Sequence, residues 1–432
     1  MFIKIKDKIA KLDLLLFKIF GSYKSVKCLE NIKEARIIFS LLNENNEQNN
    51  VRFVGGCVRK ALNGENIDDI DLATTLKPDQ VRIKLSNKDI KVIDTGLTHG
   101  TVTAILNDKK FEITTLREDV STDGRHAKVA FTSNWENDAS RRDFTINSIY
   151  ADLEGRTFDP LNGISDLRNG RIRFIGSPEE RIQEDYLRIL RYFRFFLQYS
   201  SLDHDQDVLK YIKKNINGLN KISKERIFIE IRKILNLKNA TKLFLEGPSK
   251  EIMLNLFPQF KYSKRLNKLS SLDEDLRNKY DEYLILALLI VDETDNYEYF
   301  CHKYKLSNSV RDRLKSISKS FENLKNKKYF SEANIRKLIY FSSKEQVKDL
   351  IFFSICVDDK NKIYQMKELL KYVNTCKVPK FPISGNYLKE HGYEAGKILG
   401  KKLKLLEEKW IENNFTIDQK IIDKSLGKTK YT

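Results

Sequence analysis

The chain has 432 residues, 41% hydrophobic and 32% charged, which is typical of a folded protein with several domains and excludes an intrinsically disordered chain. The formal net charge of +18 favours a polyanionic partner, although a general richness in Lys, Asn and Ile raises it without any selection for binding. The longest apolar runs, such as residues 283–291, are too short to cross a bilayer and are predicted to be buried helices, so no membrane association is expected.

The five cysteines are scattered along the chain, and no Cys-x-x-Cys pair occurs. This spacing argues against a zinc site and against a disulfide framework. With no secretory signal evident at the start of the sequence, we expect a protein of the reducing cytoplasm.

In chain order, residues 1–30 form a basic amphipathic stretch, predicted to be a helical leader that is either packed or a free arm. Ile32–Leu42 is then predicted to be a helix. Val51–Val54 is short, apolar and β-branched, which is typical of a buried strand.

A glycine pair follows this first strand. Gly55 and Gly56 permit a tight turn and the close approach of a ligand, and Cys57–Leu62 is predicted to be a helix. The free N–H groups and the dipole at the start of that helix favour an anion such as phosphate. Arg59 adds a forked cation one turn further on. The simpler interpretation of a lone Gly-Gly is an ordinary turn.

Two aspartates follow on the next predicted strand. Asp69 and Asp71 are two residues apart, so they face the same side, roughly 6–7 Å apart along the strand. This spacing lets two carboxylates hold a pair of metal ions that lie about 3.5–4 Å apart. A lone Asp-x-Asp is usually part of the surface, but its combination with the glycine turn is rare and predicts phosphoryl or nucleotidyl transfer.

The stretches Arg-Phe-Val-Gly-Gly-Cys-Val-Arg-Lys (52–60) and Asp-Asp-Ile-Asp-Leu-Ala (68–73) resemble the head-domain signature of the nucleotidyltransferase superfamily. The resemblance is to the class II tRNA nucleotidyltransferases, or CCA-adding enzymes, and to the related bacterial poly(A) polymerases. One departure is Lys60, because the family usually has Asp at that position. The change does not touch the metal-binding pair that the resemblance implies.

A helix over Pro78–Leu85 and strands over Lys91–Asp94, Thr101–Leu106 and Lys110–Leu116 are predicted next. Glu112 lies on the last of these strands. It is either a third acidic group near the metals or a strand carboxylate paired with an arginine.

The segment Arg117–Val129 is polar, charged and contains glycine, so we predict a mobile loop. It is similar in place and length to the flexible loop of the full CCA-adding members of the family. Within it, His126 is expected to contact solvent or RNA rather than a metal.

Arg141 and Arg142 precede Asp143 in a segment that resembles the family's Arg-Arg-Asp-Phe-Thr-x-Asn motif. We predict that Asp143 holds one arginine and leaves the other free for phosphate, with Arg142 as the nucleotide contact. The alternative is a surface arginine pair with the aspartate as a cap.

Helical periodicity begins at residue 159, where residues 159–168 resemble the family's neck motif. Asp185, Arg188 and Arg191 recur at i+3 along a predicted helix and form one polar stripe. Arg194 has drifted about half a turn away, which favours a role toward phosphate or the neck. The simpler interpretation is a ladder of salt bridges.

The Glu-Asp-x-x-Arg pattern at residues 184–188 resembles the family motif whose Asp and Arg read the incoming base. A carboxylate accepts a hydrogen bond from the exocyclic amine that cytosine and adenine share, whereas uracil and guanine present a carbonyl there. This resemblance implies that one protein edge selects C and A without a nucleic-acid template. Further along the neck, Glu225 and Arg226 are expected to be mainly structural.

Together these patterns predict an α+β protein, in which a mixed-sheet head of the polymerase β-like nucleotidyltransferase type precedes a helical neck, body and tail. The predicted boundaries are 1–30 for the leader, 31–158 for the head, 159–240 for the neck and 241–432 for the tRNA-binding body and tail.

The resemblance implies addition of CCA to tRNA from CTP and ATP, with Mg²⁺ on Asp69 and Asp71 and no protein partner. The predicted nucleotide-binding residues are Gly55, Gly56, Arg59, Arg142, Asp185, Arg188, Arg191 and Arg194. The alternatives are a poly(A) polymerase, a CC-only enzyme and a non-catalytic RNA-binding descendant.

Overall fold

The computed structural model describes residues 26–43, 50–86, 88, 90–96, 100–122, 127–272, 276, 279–326, 328–357 and 363–426. The chain divides into two compact units, one that ends at Asn239 and one that begins at Ala240. The leader predicted over residues 1–30 lies almost entirely outside the described residues.

The first unit is built on a seven-stranded mixed sheet, ordered β3-β4-β5-β2-β1-β8-β9. Its strands are β1 (Val51–Val54), β2 (Ile70–Thr74), β3 (Lys91–Gly96), β4 (Thr101–Leu106), β5 (Lys109–Thr115), β8 (Tyr150–Ala151) and β9 (Thr157–Phe158). The pair β2 and β5 is parallel, and the other neighbouring pairs are antiparallel. This sheet and the helices that follow it confirm the predicted α+β class.

Alternation along the central strands separates two faces of this sheet. Phe53 and Leu72 belong to the larger core, which also contains residues of helices α1 (Lys33–Leu42), α2 (Gly56–Leu62) and α3 (Pro78–Ser86). Val54 and Ala73 belong to a second, smaller cluster with Tyr150. Because Asp71 lies two residues before Ala73, its side chain faces this second side, where the polar groups of the site collect.

The prediction of a mobile loop over Arg117–Val129 is wrong for those residues of the segment that the structure describes. They form a two-stranded antiparallel ribbon of β6 (Arg117–Thr122) and β7 (Ala127–Phe131), and His126 lies outside the described residues. A ribbon is held together by backbone hydrogen bonds, which do not depend on polar composition, so the composition of this segment was a poor guide.

Helices complete the first unit. They are α4 (Trp135–Ser140), α5 (Gly163–Arg168), α6 (Pro178–Glu184), α7 (Arg188–Tyr199), α8 (Gln206–Asn215) and α9 (Lys224–Leu235). The starts of α6, α8 and α9 are capped by the side chains of Ser177, Asp205 and Ser223, which accept hydrogen bonds from backbone N–H groups of the first turn. Asp185 has extended backbone angles between α6 and α7, so the single predicted helix through Asp185 and Arg191 is in fact two helices.

The described residues of the second unit form helices joined by turns and short irregular segments, with no strand among them. Its helices are α10 (Lys242–Leu245), α11 (Gly247–Leu256), α12 (Leu266–Ser270), α13 (Glu282–Ile290), α14 (Asn296–Lys303), α15 (Asn308–Ser320), α16 (Glu332–Phe341), α17 (Lys344–Val357), α18 (Ile363–Thr375), α19 (Gly385–Glu390), α20 (Lys397–Glu412) and α21 (Gln419–Leu426). The apolar run predicted to be a buried helix is α13, in which every residue from Leu284 to Ile290 is buried. None of the described helices combines the length and the apolar character needed to cross a membrane. All five cysteines are free thiols.

Candidate active site

A cavity of about 590 Å³ in the first unit brings all ten predicted site residues together. They come from the glycine bend and α2, from the start of β2, from the segment after α4, from the turn between α6 and α7, and from α7 itself. Further lining residues that the sequence pattern did not single out as nucleotide contacts are Lys60, Arg141, Asp143, Asn147, Leu187, Phe195, Gln198, Arg226 and Lys233. Ten positions spread over 140 residues of chain therefore form one surface.

The glycine bend forms one wall of the cavity. Gly55 has φ +64° and ψ −112°, a conformation that residues with a Cβ rarely adopt, and its carbonyl accepts a hydrogen bond from Arg59 N (2.9 Å) as α2 begins. A Cβ added to Gly56 would lie 3.5 Å from Asp71 Oδ2, and one added to Gly55 would lie 3.7 Å from Arg142 Nη1. The bend, an acid and an arginine are thus direct neighbours.

The acidic side of the cavity is the start of β2. Asp69 is exposed directly before the strand, and Asp71 is half-buried within it. Parallel pairing with β5 sets Asp71 opposite Glu112. Burial first, and then the charge of Glu112, raises the pKa of Asp71 to about 6, with Asp69 adding to the effect and Arg142 opposing it.

Two observations bear on whether this acidic group suits Mg²⁺. Negative charge accumulates at Asp71, and a cation would relieve the repulsion among the three carboxylates. Within the described residues, no group of three or more His, Cys, Asp or Glu is arranged to hold an ion alone. Mg²⁺ is typically held by one or two carboxylates together with substrate phosphates, so the carboxylates of Asp69 and Asp71 beside the glycine bend fit it.

The two adjacent arginines are held by Asp138, a residue that the sequence pattern did not single out. Its side chain is 1% exposed, and it accepts hydrogen bonds from Arg142 Nη2 (2.9 Å), from Arg141 Nη2 (2.5 Å) and from the Tyr150 hydroxyl (2.7 Å). Burial alone would raise the pKa of Asp138, but Arg142 and Arg141 outweigh it and hold the pKa well below its usual range. The prediction that Asp143 holds one of these arginines is wrong.

Asp143 instead connects this segment to α7. Its Oδ2 accepts from Arg191 Nε (2.6 Å), and its Oδ1 accepts from Asn147 Nδ2 (2.8 Å) and from Phe144 N (2.9 Å). Burial opposes ionisation, but Arg191 and these hydrogen bonds prevail and lower the pKa of Asp143 to about 2. Arg191 is therefore a fixed cation at the cavity wall.

Arg59 is held from two sides. Its side chain is buried, its Nη1 donates to Asn147 Oδ1, and its guanidinium lies over the rings of Phe195 (4.8 Å) and Tyr199 (5.0 Å). Asn147 thus connects Arg59 to Asp143. The predicted phosphate-facing cation is present at the cavity, and its orientation is fixed by α7 rather than by its own helix.

The predicted polar stripe of Asp185, Arg188 and Arg191 does not form a salt-bridge ladder. Arg188 Nη1 donates to Glu184 Oε2 (2.6 Å) and to the Arg181 carbonyl (2.9 Å), whereas Asp185 Oδ2 accepts from Arg226 Nη2 (2.8 Å). Because the chain breaks its helix at Asp185, the i+3 spacing no longer places Asp185 and Arg188 on one stripe. Arg226, expected to be mainly structural, also lines the cavity.

Glu230, on α9, is a second buried acid that the sequence pattern did not reveal. Its side chain is 4% exposed, and it accepts from Arg194 Nε (2.8 Å) with Arg191 Nη1 4.0 Å away. Arg194 therefore both contacts the neck and lines the cavity. A carboxylate one helical turn before Arg141 and Arg142 could have pointed to Asp138, but no local spacing relates Glu230 to Arg194.

A mixed sheet that presents an Asp-x-Asp pair, a glycine bend and an arginine-rich wall to one cavity defines a nucleotidyltransferase. Family models agree, matching a poly(A) polymerase head domain over residues 51–173 and a probable RNA-binding and SrmB-binding site of polymerase A over residues 202–263.

Comparison with individual proteins identifies the family more closely. The chain is 37% identical to the mitochondrial CCA tRNA nucleotidyltransferase 1 of Mus musculus, over 86% of this chain and 85% of that protein. It is 33% identical to the CCA-adding enzyme of Streptococcus gordonii, over 86% of this chain and 91% of that protein. Its fold is similar to the solved structure of the Bacillus stearothermophilus CCA-adding enzyme in complex with CTP (TM-score 0.69, 24% identity, 90% of this chain and 96% of that one). The chain belongs to the CCA tRNA nucleotidyltransferase family and is an enzyme of the nucleotidyltransferase class.

Proposed function

We propose that this enzyme adds C, C and A in turn to the 3′ end of tRNA, using CTP and ATP. The observation that carries the proposal is the closeness of the glycine bend to the acidic strand end, because a Cβ on Gly56 would lie 3.5 Å from Asp71 Oδ2. A triphosphate that enters the bend is thereby next to the carboxylates that nucleotidyl transfer requires.

Asp69 and Asp71 are the proposed ligands of two Mg²⁺ ions. Bound Mg²⁺ supplies charge neutralisation at the phosphates and lowers the pKa of the attacking hydroxyl. The 3′-hydroxyl oxygen of the tRNA forms a bond to the α-phosphorus, the bond to the β-phosphate oxygen breaks, and pyrophosphate and a proton are released.

The basic residues hold the triphosphate through this reaction. The N–H groups at the start of α2 would face a phosphate bound at Gly55 and Gly56, and Arg142 lies beside the same bend. Arg59, Arg191 and Arg194 add charge from the α7 side, and each already has a partner that fixes its guanidinium. Preorganised donors of this kind stabilise charge without reorganising during the reaction.

Asp185 and Arg188 are the proposed readers of the base. The carboxylate accepts from the exocyclic amine of cytosine or adenine, and the guanidinium donates to the neighbouring ring nitrogen. A carbonyl at the amine position, as in uracil or guanine, would face a carboxylate and be repelled. The hydrogen-bonding groups of Asp185 and Arg188 would thus select the base in place of a nucleic-acid template.

The remaining proposals concern the rest of the molecule. We propose a boundary between head and neck near residues 158–159 and tRNA contacts on the helical second unit, where lysines of α20 such as Lys401 and Lys404 would meet phosphates. The proposed compartment is the cytoplasm, which five free thiols support. Cell fractionation tests the compartment, and cross-linking of tRNA to the purified protein tests the contact surface.

The decisive assay offers the enzyme a tRNA that lacks its CCA end, with Mg²⁺ and with CTP, ATP, both, UTP or GTP. CTP alone should give two additions, and CTP with ATP should give three. A CC-only enzyme would stop after two additions in the mixture. Extension of generic RNA with ATP alone would identify a poly(A) polymerase, the activity in the name of the matching head-domain model. Tight tRNA binding with no incorporation would indicate a non-catalytic descendant.

A further inference from the structure

Arg226 contacts the carboxylate that is proposed to read the base. Arg226 Nη2 donates to Asp185 Oδ2 (2.8 Å), while the other oxygen, Oδ1, accepts from the backbone N–H of Leu187 (3.1 Å). The two donors come from α9 and from the turn between α6 and α7. Asp185 is therefore held at both oxygens by two different parts of the neck.

These contacts fix an orientation more than they stabilise the fold. The side chains of Arg226 and Asp185 are 52% and 31% exposed, and ion pairs this open to solvent add little to stability. A carboxylate has about four lone-pair positions, so two donors leave room for a base amine. The plane of the carboxylate, however, is no longer free to turn.

Arg226 is itself well placed to act as this support. It lies in the first turn of α9, where its backbone N–H donates to the capping Ser223 side chain (3.4 Å), and it lines the cavity. Arg188 does not supply the same support, because Glu184 and the Arg181 carbonyl already hold its guanidinium.

We infer that Arg226 is a positioning residue that sets base specificity, by holding the Asp185 carboxylate where it accepts an amine and repels a carbonyl. The inference rests on the proposed function, because it assumes that Asp185 faces the base. Without Arg226, the carboxylate rotates away from a uracil carbonyl, the repulsion is relieved, and uridine is admitted. Arg226 then acts through Asp185 and need not touch the nucleotide.

The test measures kcat/KM for the first addition to a tRNA lacking its CCA end, with CTP and with UTP separately, in the full chain with Mg²⁺. For Arg226→Ala, the ratio of UTP to CTP efficiency should rise about tenfold, the scale of one base contact. Arg226→Lys keeps a cation and should recover part of the discrimination. The control is Lys224→Ala. Lys224 is a cation in the same helical turn, but it does not line the cavity, so this variant should show the same ratio of UTP to CTP efficiency as the unaltered chain.

Two results would overturn the inference. An unchanged UTP to CTP ratio in Arg226→Ala, with or without a uniform loss of rate, would make Arg226 a general support of the fold. If the unaltered chain incorporates neither CTP nor ATP, the proposed function fails and this inference fails with it. If the unaltered chain adds C and A correctly while Arg226→Ala still discriminates against UTP, only the role of Arg226 is rejected. Melting temperatures of all three variants check that the neck remains folded.

Discussion

Two groups of carboxylates lie at the cavity or directly beside it, and they are used in opposite ways. The acidic strand end consists of Asp69, Asp71 and Glu112. The arginine cluster consists of Asp138, Asp143 and Glu230 with Arg141, Arg142, Arg191 and Arg194.

Neighbouring charge separates the two groups, as the pKa values of Asp71 and Asp143 show, because burial acts on both of these acids. The pKa of Asp71 is raised to about 6, because burial and the charge of Glu112 act in the same direction. The pKa of Asp143 is lowered to about 2, because Arg191 and its hydrogen bonds outweigh burial. The difference is the supply of arginine: in the described part of the chain no ion pair reaches Asp69 or Asp71, whereas each acid of the cluster has at least one.

This difference teaches which carboxylates serve the ligand and which serve the protein. In the arginine cluster, each carboxylate is paired with at least one arginine, and these ion pairs orient the arginines at the cavity. The strand end keeps a surplus of negative charge, which a metal ion can neutralise. Substitutions in the two groups should therefore separate activity from stability.

The largest effect on activity is expected for Asp71→Asn. Loss of a proposed metal ligand should lower nucleotide incorporation by at least about 10³-fold, because metal ions stabilise transition-state charge by several kcal/mol and each ~1.4 kcal/mol is tenfold. The unfolding midpoint without metal should stay the same or rise, since one of three clustered negative charges is removed. Asp68→Asn, at an exposed neighbouring aspartate, is the control and should keep its activity within about twofold.

The largest effect on stability is expected for Asp138→Asn. Removing one partner of a buried ion-pair network leaves two arginines without their counter-charge and should cost about 3–5 kcal/mol. Urea unfolding followed by Trp135 fluorescence measures it, in a Trp410→Phe background, because Trp135 packs edge-on against Tyr150. Asp94→Asn breaks an exposed ion pair with Arg82 and should cost less than about 1 kcal/mol. Equal losses for Asp138 and Asp94 would contradict the comparison.

Acid should erase the difference between the unaltered chain and Asp138→Asn. The pKa of Asp138 is lower in the folded protein than in the unfolded chain, so its contribution is complete above about pH 4 and is lost as the pH falls toward the folded-state pKa. The stability gap should therefore be largest at pH 7 and clearly smaller at about pH 3, measured by the same unfolding experiment. A gap that grows on acidification would show that the ionised form of Asp138 is not what stabilises the network.

A smaller contrast is expected between the two glycines of the bend. Gly55→Ala must adopt φ +64° and ψ −112°, which should cost about 1–3 kcal/mol of stability. Gly56→Ala meets only an ordinary contact with Asp71 Oδ2, so its stability should change little, while KM for CTP rises because the methyl group occupies the space next to the acid pair. Thermal unfolding and initial-rate kinetics distinguish the two variants. The reverse pattern would mean that the bend is not a ligand-binding wall.

The smallest effect is expected for Lys60→Asp, which introduces the residue usual in the family. Lys60 Nζ pairs with Asp68 Oδ2 (3.0 Å), and the aspartate side chain is 63% exposed, so the pair should contribute less than about 1 kcal/mol. Incorporation of C and A should change by no more than about threefold. A collapse of activity in this variant would show that this chain uses its lysine in a way the usual aspartate cannot replace.

Local patterns were sufficient for many elements and for the location of the site. The bounds of β1 and β4 agree with the predicted strands, because short apolar, β-branched runs between turn residues have few other uses. Motif spacing also placed the glycine bend, the acid pair and the arginines in one cavity. The ribbon at β6 and β7 was missed because β6 is mostly polar and charged, and its pairing with β7 is made by backbone hydrogen bonds, which residue type does not reveal.

What the sequence determined by itself is the set of chemical groups, since residue type and short-range spacing fix which strands, turns and charges are available. Only the tertiary structure decided which acidic side chain pairs with which arginine. Arg191 reaches Asp143 across 48 residues of chain, and Arg226 reaches Asp185 across 41. Electrostatic pairing depends on distance in space, and no spacing rule along the chain extends beyond one or two helical turns.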